Sequence, residues 1–276
     1  MLIVVPTLLA VLLSLSSWSG IGWPHWVGLS NWSSFLHDSA AHQSLVVTLG
    51  FTVLSWVVQT PISLALGLFI AGPQRYRVVY SVCYVIPMLL SSVGLALMWG
   101  GVLDPNLGGL AWLGDRLGLD LLSQNWFGDE TLTPIVLLLI IAWQFIPMHA
   151  LIYQNGRRSI PGVLYEASRI DGASPWRQFV HITMPQLRHT MATSSVLMLV
   201  TSLTYFDMIY VLTLGGPGGR TNVLAMQMYD VAFNQHRFGY ASVFAVILGV
   251  LGVLVGFVIM RISGYSRFES TQEGVA

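Results

Sequence analysis

Long apolar stretches alternate with short polar ones along this chain, and six of them have the length and continuity of membrane-spanning helices: 2–18, 45–71, 78–103, 133–154, 190–214 and 240–261. A helix needs about 20 apolar residues to cross the hydrocarbon. Backbone groups find no water there, so the pattern predicts an all-α, polytopic bundle of six transmembrane helices. The first stretch is short and holds Pro6. A cleaved signal peptide is its alternative reading, but no Lys or Arg precedes Arg75, so the basic start of such a peptide is missing. Pro61, Pro87 and Pro147 fall inside spans and are expected to kink them.

Composition supports this reading. Hydrophobic residues make up 54% of the 276 positions and charged residues 9%, with a mean hydropathy of +0.69. A water-soluble domain of that size carries far more charge. All twelve basic residues are arginines, and nine of them lie in three segments: Arg75 and Arg77; Arg157, Arg158, Arg169, Arg177 and Arg188; Arg261 and Arg267. In a six-helix layout these segments share one side, which the positive-inside rule makes cytoplasmic. Both termini are then expected inside, and the lack of a basic anchor before the first span leaves open a native start upstream of Met1.

The absence of lysine removes several chemistries. A P-loop needs its Lys on the phosphates and a Schiff base needs a Lys amine, so no Walker-type ATP hydrolysis is expected of this chain. Cys83 is the sole cysteine, the seven histidines show no close ligand pairing, and no Gly-x-Ser-x-Gly elbow occurs. Neither a metal site, a catalytic site nor a cofactor is expected.

Between the fourth and fifth spans lies a polar, helix-breaking island, 155–189. Val163, Ala167 and Ile170 recur at helical spacing and form an apolar face, with Tyr165, Glu166 and Arg169 turned away from it. Gly172 can take positive φ and end that helix, with Asp171 forming the turn. Ser174 and Pro175 are placed to start a second short helix carrying Trp176, Phe179 and Val180, which Pro185 is expected to stop. A long cytoplasmic loop with amphipathic helices could be merely connective; the particular residues are more telling.

Glu166-Ala167-Ser168, Gly172, Ile182 and Pro185 resemble the EAA motif of binding-protein-dependent ABC importer permeases, with Ser168 in place of a second Ala and Met184 in place of Leu. Ile170 to Ser174, Phe206-Asp207, Gly215-Gly216-Pro217, Gly239-Tyr240-Ala241 and, near the start, Val27 to Trp32 are similar to the carbohydrate branch of that family. The resemblance implies a permease subunit in the bacterial inner membrane that pairs with a second permease. Two ATP-binding subunits, which hold the ATP and Mg, would dock on the loop, and an extracytoplasmic solute-binding protein would deliver a sugar. No nucleic-acid partner is expected. Tyr165, Glu166, Ala167, Ser168, Arg169, Asp171, Gly172, Ala173 and Ser174 would form the ATPase-coupling interface. The chain divides accordingly into a first helix with external loop (1–44), a permease core (45–262) and a cytoplasmic tail (263–276).

Asp207 is the one acidic residue deep in an expected span, which marks it as a candidate for the substrate path, together with Thr204, Tyr205 and Tyr210. Bonding to a neighbouring helix or to water is its other reading. Gln59 and Gln144 are further path candidates, although such groups commonly serve as interhelical partners. Two external segments, 104–131 and 215–235, are candidates for meeting the binding protein. An ion-coupled secondary transporter is the competing class; it would be expected to show inverted repeats and broken helices near the midplane, but no internal repeat is evident and only Asp207 could carry a coupling charge. A permease for a non-sugar solute such as glycerol phosphate is a second alternative.

Overall fold

The computed structural model describes residues 4–72 and 74–263. Met1 to Ile3, which include the start of the first expected span, and the expected tail beyond Ser263 with Arg267 lie outside the described residues. Helix α1 covers Val4–Ser14 and stops short of residue 18. At about 1.5 Å per residue, its 11 residues rise roughly 16 Å, half the thickness of the hydrocarbon. Helix formation fails at its end because the Ser14 and Ser16 hydroxyls bond back to Val11 O and Leu12 O, and Gly20 and Gly22 take positive φ. The chain turns into a small antiparallel pair, β1 (Ser16–Ser17) on β2 (His25–Trp26), the one departure from an all-α fold among the described residues. Asn31, in α2 (Ser30–His37), donates to Ser14 O, a carbonyl the end of α1 leaves open, and to Ser16 O in β1.

Helices α3 (Ser39–Ile70), α7 (Leu132–Arg158) and α13 (Phe238–Ile262) are each long and apolar enough to cross a membrane unbroken. The third expected span is not continuous. It divides into α4 (Arg75–Leu89) and α5 (Ser92–Val102), because Leu90 and Ser91 are extended and Ser91 Oγ accepts the Gly94 amide to start a new helix. Pro87 occupies the last turn of α4, whereas Pro61 and Pro147 sit inside helices that continue past them. The fifth span is also broken, into α10 (Met184–Leu203) and α11 (Asp207–Thr213), where Thr204 Oγ1 turns back to Thr201 O and Phe206 leaves helical φ and ψ. The loop after α5 carries the short helix α6 (Gly109–Leu117).

The chain forms two compact units, each assembled from separate stretches of sequence. One comprises the chain up to Leu54, Ser91–Ile141 and Thr201–Val253. Within it α5 packs on α11, and the short helix α12 (Leu224–Tyr229) starts with the Leu224 amide bonded to Thr48 Oγ1 at 2.7 Å. Asp38 caps α3 by accepting the Ala40 and Ala41 amides, and its second oxygen takes the Tyr240 hydroxyl at 2.7 Å. Burial alone would push the Asp38 carboxyl up. The Tyr240 hydroxyl, the two amides and the charge of Arg237 outweigh it and hold the group below its usual 3.8. A depressed carboxyl contributes stability above its unfolded pKa and loses it as pH falls through the folded one. Tyr240→Phe should therefore lower the melting temperature of the detergent-solubilised chain at neutral pH and narrow the gap to wild type below about pH 4. An equal loss at every pH would contradict that account.

The other unit comprises Ser55–Leu90, Ala142–Val200 and the chain from Leu254. Here α3, α7 and α10 approach closely at glycines: a Cβ at Gly67 would lie 2.6 Å from Ala150 O, and one at Gly156 would lie 2.6 Å from Thr190 Oγ1. Small residues at such crossings let backbones meet where lipid offers no hydrophobic driving force. Polar pairs join the same helices, with Trp56 Nε1 donating to Ser195 Oγ and His149 Nδ1 hydrogen-bonded to Ser194 Oγ, both at 2.9 Å.

Candidate coupling and substrate sites

The island between α7 and α10 opens with α8 (Gly162–Ile170). Its end is a Schellman motif: Gly172 N bonds Arg169 O, Ala173 N bonds Ser168 O, and Gly172 takes φ 73°. Ser174 Oγ then accepts the Arg177 amide, and Pro175 fills the first turn of α9 (Pro175–Gln178). Both turn devices are those the residues predict. Pro185 does not end the second helix, however. Phe179–Thr183 form a π turn in which the Met184 amide bonds Phe179 O, and the helix runs on into α10. The wider turn takes up the missing Pro185 amide and relieves its ring from the preceding carbonyl.

The grouping expected from periodicity does not hold on α8: Tyr165 turns inward, while Glu166 and Arg169, expected on its side, are exposed with Val163, Ala167 and Ile170 because packing takes in the one large ring and leaves both charges in water. Tyr165 is only 8% exposed, packed with Ile160 and Leu187. Its hydroxyl pairs with Thr183 Oγ1 at 2.9 Å and the Arg157 guanidinium lies 4.0 Å from its ring centroid. Tyr165 therefore fastens α8 to the end of α7 and to the π turn. The apolar face points outward instead: Val163 is 64% exposed, Ile170 87% and Trp176 72%. Glu166, Ala167, Arg169, Asp171, Gly172 and Ser174 are exposed beside them, while Ser168 and Ala173 are half-buried and the Ser168 hydroxyl bonds Tyr165 O. Arg157 and Thr183 were not legible as partners of Tyr165, because neither sits at helical spacing from it.

Of the path candidates, Thr204, Tyr205, Asp207 and Tyr210 fall together at the break between α10 and α11. Thr204 and Asp207 are exposed, Tyr205 is buried and Tyr210 half-buried. Asp207 opens α11, where a helix start favours a carboxylate. Tyr210 stacks on Phe206 at 5.2 Å, both rings meet Tyr229 at 5.3 Å, and the row continues through Phe233 and Phe238 to Trp18. Spacing in the sequence pairs only its local members. Gln59 and Gln144 belong to the other unit; both are buried, and Gln144 donates to Leu90 O at 3.4 Å. The two segments expected to be external, 104–131 and 215–235, are tied to each other by Arg220 Nε on Glu130 Oε2 at 3.3 Å.

These features define a multi-pass helical membrane protein with broken spans and a rigidly mounted polar loop. Residues 63–265 match the family model described as binding-protein-dependent transport system inner membrane component, and the chain belongs to that family. It is 37% identical over 250 residues to the "Probable ABC transporter permease protein PH1215" of Pyrococcus horikoshii, covering 89% of this chain and 84% of that one. To the multiple sugar-binding transport system permease protein MsmF of Streptococcus mutans it is 29% identical, over 93% of this chain and 87% of that one. In fold it is similar to a chain of a bacterial ABC transporter involved in import of the acidic polysaccharide alginate, with a TM-score of 0.82 at 20% identity over 96% and 91% of the two chains.

Proposed function

We propose that this chain is a permease subunit of an ATP-driven sugar importer, working beside a second permease in the bacterial inner membrane with both termini cytoplasmic. Two ATP-binding subunits supply the hydrolysis and hold ATP and Mg; this chain supplies no ATPase site. The observation that carries the reading is the mounting of α8, fastened on its inner side through Tyr165 while Val163, Ile170, Trp176 and the charged pair Glu166 and Arg169 face outward. An element fixed to two helices and bare on its far side can move them as a rigid body when a closing ATPase dimer pushes on it. Sugar as the solute is supported by the residues shared with carbohydrate permeases, by the function named for MsmF, and by the row of aromatic rings, whose faces suit the C–H faces of a pyranose.

Purification of the tagged chain in mild detergent, with mass spectrometry of its companions, tests this directly. Wild type should bring a Walker-motif ATPase, a second permease and a solute-binding protein, and Glu166→Arg should lose the ATPase by charge reversal in the docking face. A chain that purifies alone and still mediates uptake in liposomes would overturn the reading. For the path, Asp207→Asn is expected to reduce uptake severalfold with assembly intact, since it removes the charge at an exposed helix start. Unchanged kinetics would return Asp207 to a purely structural role.

A further inference from the structure

A cleft of about 230 Å³ lies at the start of α13, lined by Ser17, Trp18, Ser19, Asn31, His236 and Arg237 together with Gly239 and Tyr240. It is built by close contact. A Cβ at Gly239 would meet Ser16 O, and the Gly239 amide bonds Trp18 O, which holds the β1 segment against the helix start. His236 stands at φ 55°, turning the chain sharply before the span begins. The Arg237 guanidinium rests over the Tyr240 ring at 4.6 Å, and no carboxylate lies within ion-pair distance of it among the described residues. The nearby Asp38 carboxylate is already taken by the Tyr240 hydroxyl and two backbone amides.

The cleft thus offers a guanidinium held in no direct ion pair, an imidazole and two serine hydroxyls, donors that suit a phosphate. Its position selects the source. The cleft marks the end of α13 opposite Arg261, where a span of mean hydropathy 3.0 begins, and Trp18 lines it in the manner of interfacial tryptophans. The β1 segment follows directly on α1, whose Leu8, Leu9 and Leu12 are exposed. We propose that this cleft binds the phosphate of an anionic membrane lipid, with Arg237 as its charged partner and the leucines of α1 beside its acyl chains.

The test is thermal unfolding of the full chain in detergent, titrated separately with phosphatidylglycerol, phosphatidylcholine, inorganic phosphate and glycerol phosphate. Phosphatidylglycerol should stabilise wild type more strongly than phosphatidylcholine does, and Arg237→Gln should weaken that response about tenfold, the loss expected for one charge-assisted contact. Should Arg237→Gln disturb folding through Tyr240, His236→Asn keeps a residue tolerant of positive φ and should still weaken the lipid response. Stabilisation by the soluble phosphates alone would overturn the lipid assignment. A phosphatidylglycerol response equal in wild type and both variants would overturn the site.

Discussion

Replacing Gly172 with Val is expected to lower solute uptake at least tenfold while the chain still inserts and folds. Nothing lies within 4 Å of a Cβ built at Gly172, so the effect cannot come from a clash. It comes from φ 73°, which a β-branched residue avoids at a penalty of about 1–3 kcal/mol. Valine can relieve that strain by opening the two turn bonds, Gly172 N to Arg169 O and Ala173 N to Ser168 O, which set the angle between α8 and α9. About 1.4 kcal/mol is tenfold in population, so the coupled arrangement becomes a minor species. Asparagine tolerates the left-handed region, and Gly172→Asn should retain most of the uptake. Uptake by reconstituted transporter and the amount of ATPase retained on the purified chain are the measurements. Normal values for Gly172→Val would show that the turn geometry does not matter to coupling.

Tyr165→Ala should be comparably severe, for a different reason. Truncating a buried aromatic side chain costs about 3–5 kcal/mol. Here the loss falls on the contacts that mount α8: the Ile160 and Leu187 packing, the Thr183 bond and the Arg157 cation–π contact. The exposed docking residues would remain, on a helix no longer fixed to α7. Tyr165→Phe keeps the ring and leaves the buried Thr183 hydroxyl without this partner, a loss of about 1–3 kcal/mol. Arg157→Gln removes a contact worth about 0.5–2 kcal/mol. ATP hydrolysis uncoupled from uptake should therefore be strongest in Tyr165→Ala and weaker in the other two, with protease cutting near residues 171–174 rising in the same order. Wild-type coupling in Tyr165→Ala would refute a mounting role for this residue.

What the sequence determined by itself was the set of features carried by neighbours along the chain. Apolar run length set the helical membrane class, and the placement of Gly172, Ser174 and Pro175 set the two turns of the coupling loop. Such features depend on contacts a few residues apart, which residue type alone specifies. Tertiary structure decided what periodicity leaves symmetric. An apolar and a polar face are legible on α8, but packing with Ile160 and Leu187 takes Tyr165 alone inward and leaves Glu166 and Arg169 exposed with Val163 and Ile170. The break at Leu90 lies inside a run whose hydropathy stays high, because a run of apolar residues reports solvent preference and not backbone direction, and the break at Thr204 falls among polar residues that do not by themselves interrupt a span. Pro185 inside a continuous helix belongs to the same kind: the π turn that admits it sits under Tyr165 through Thr183, a contact made only once the chain has folded.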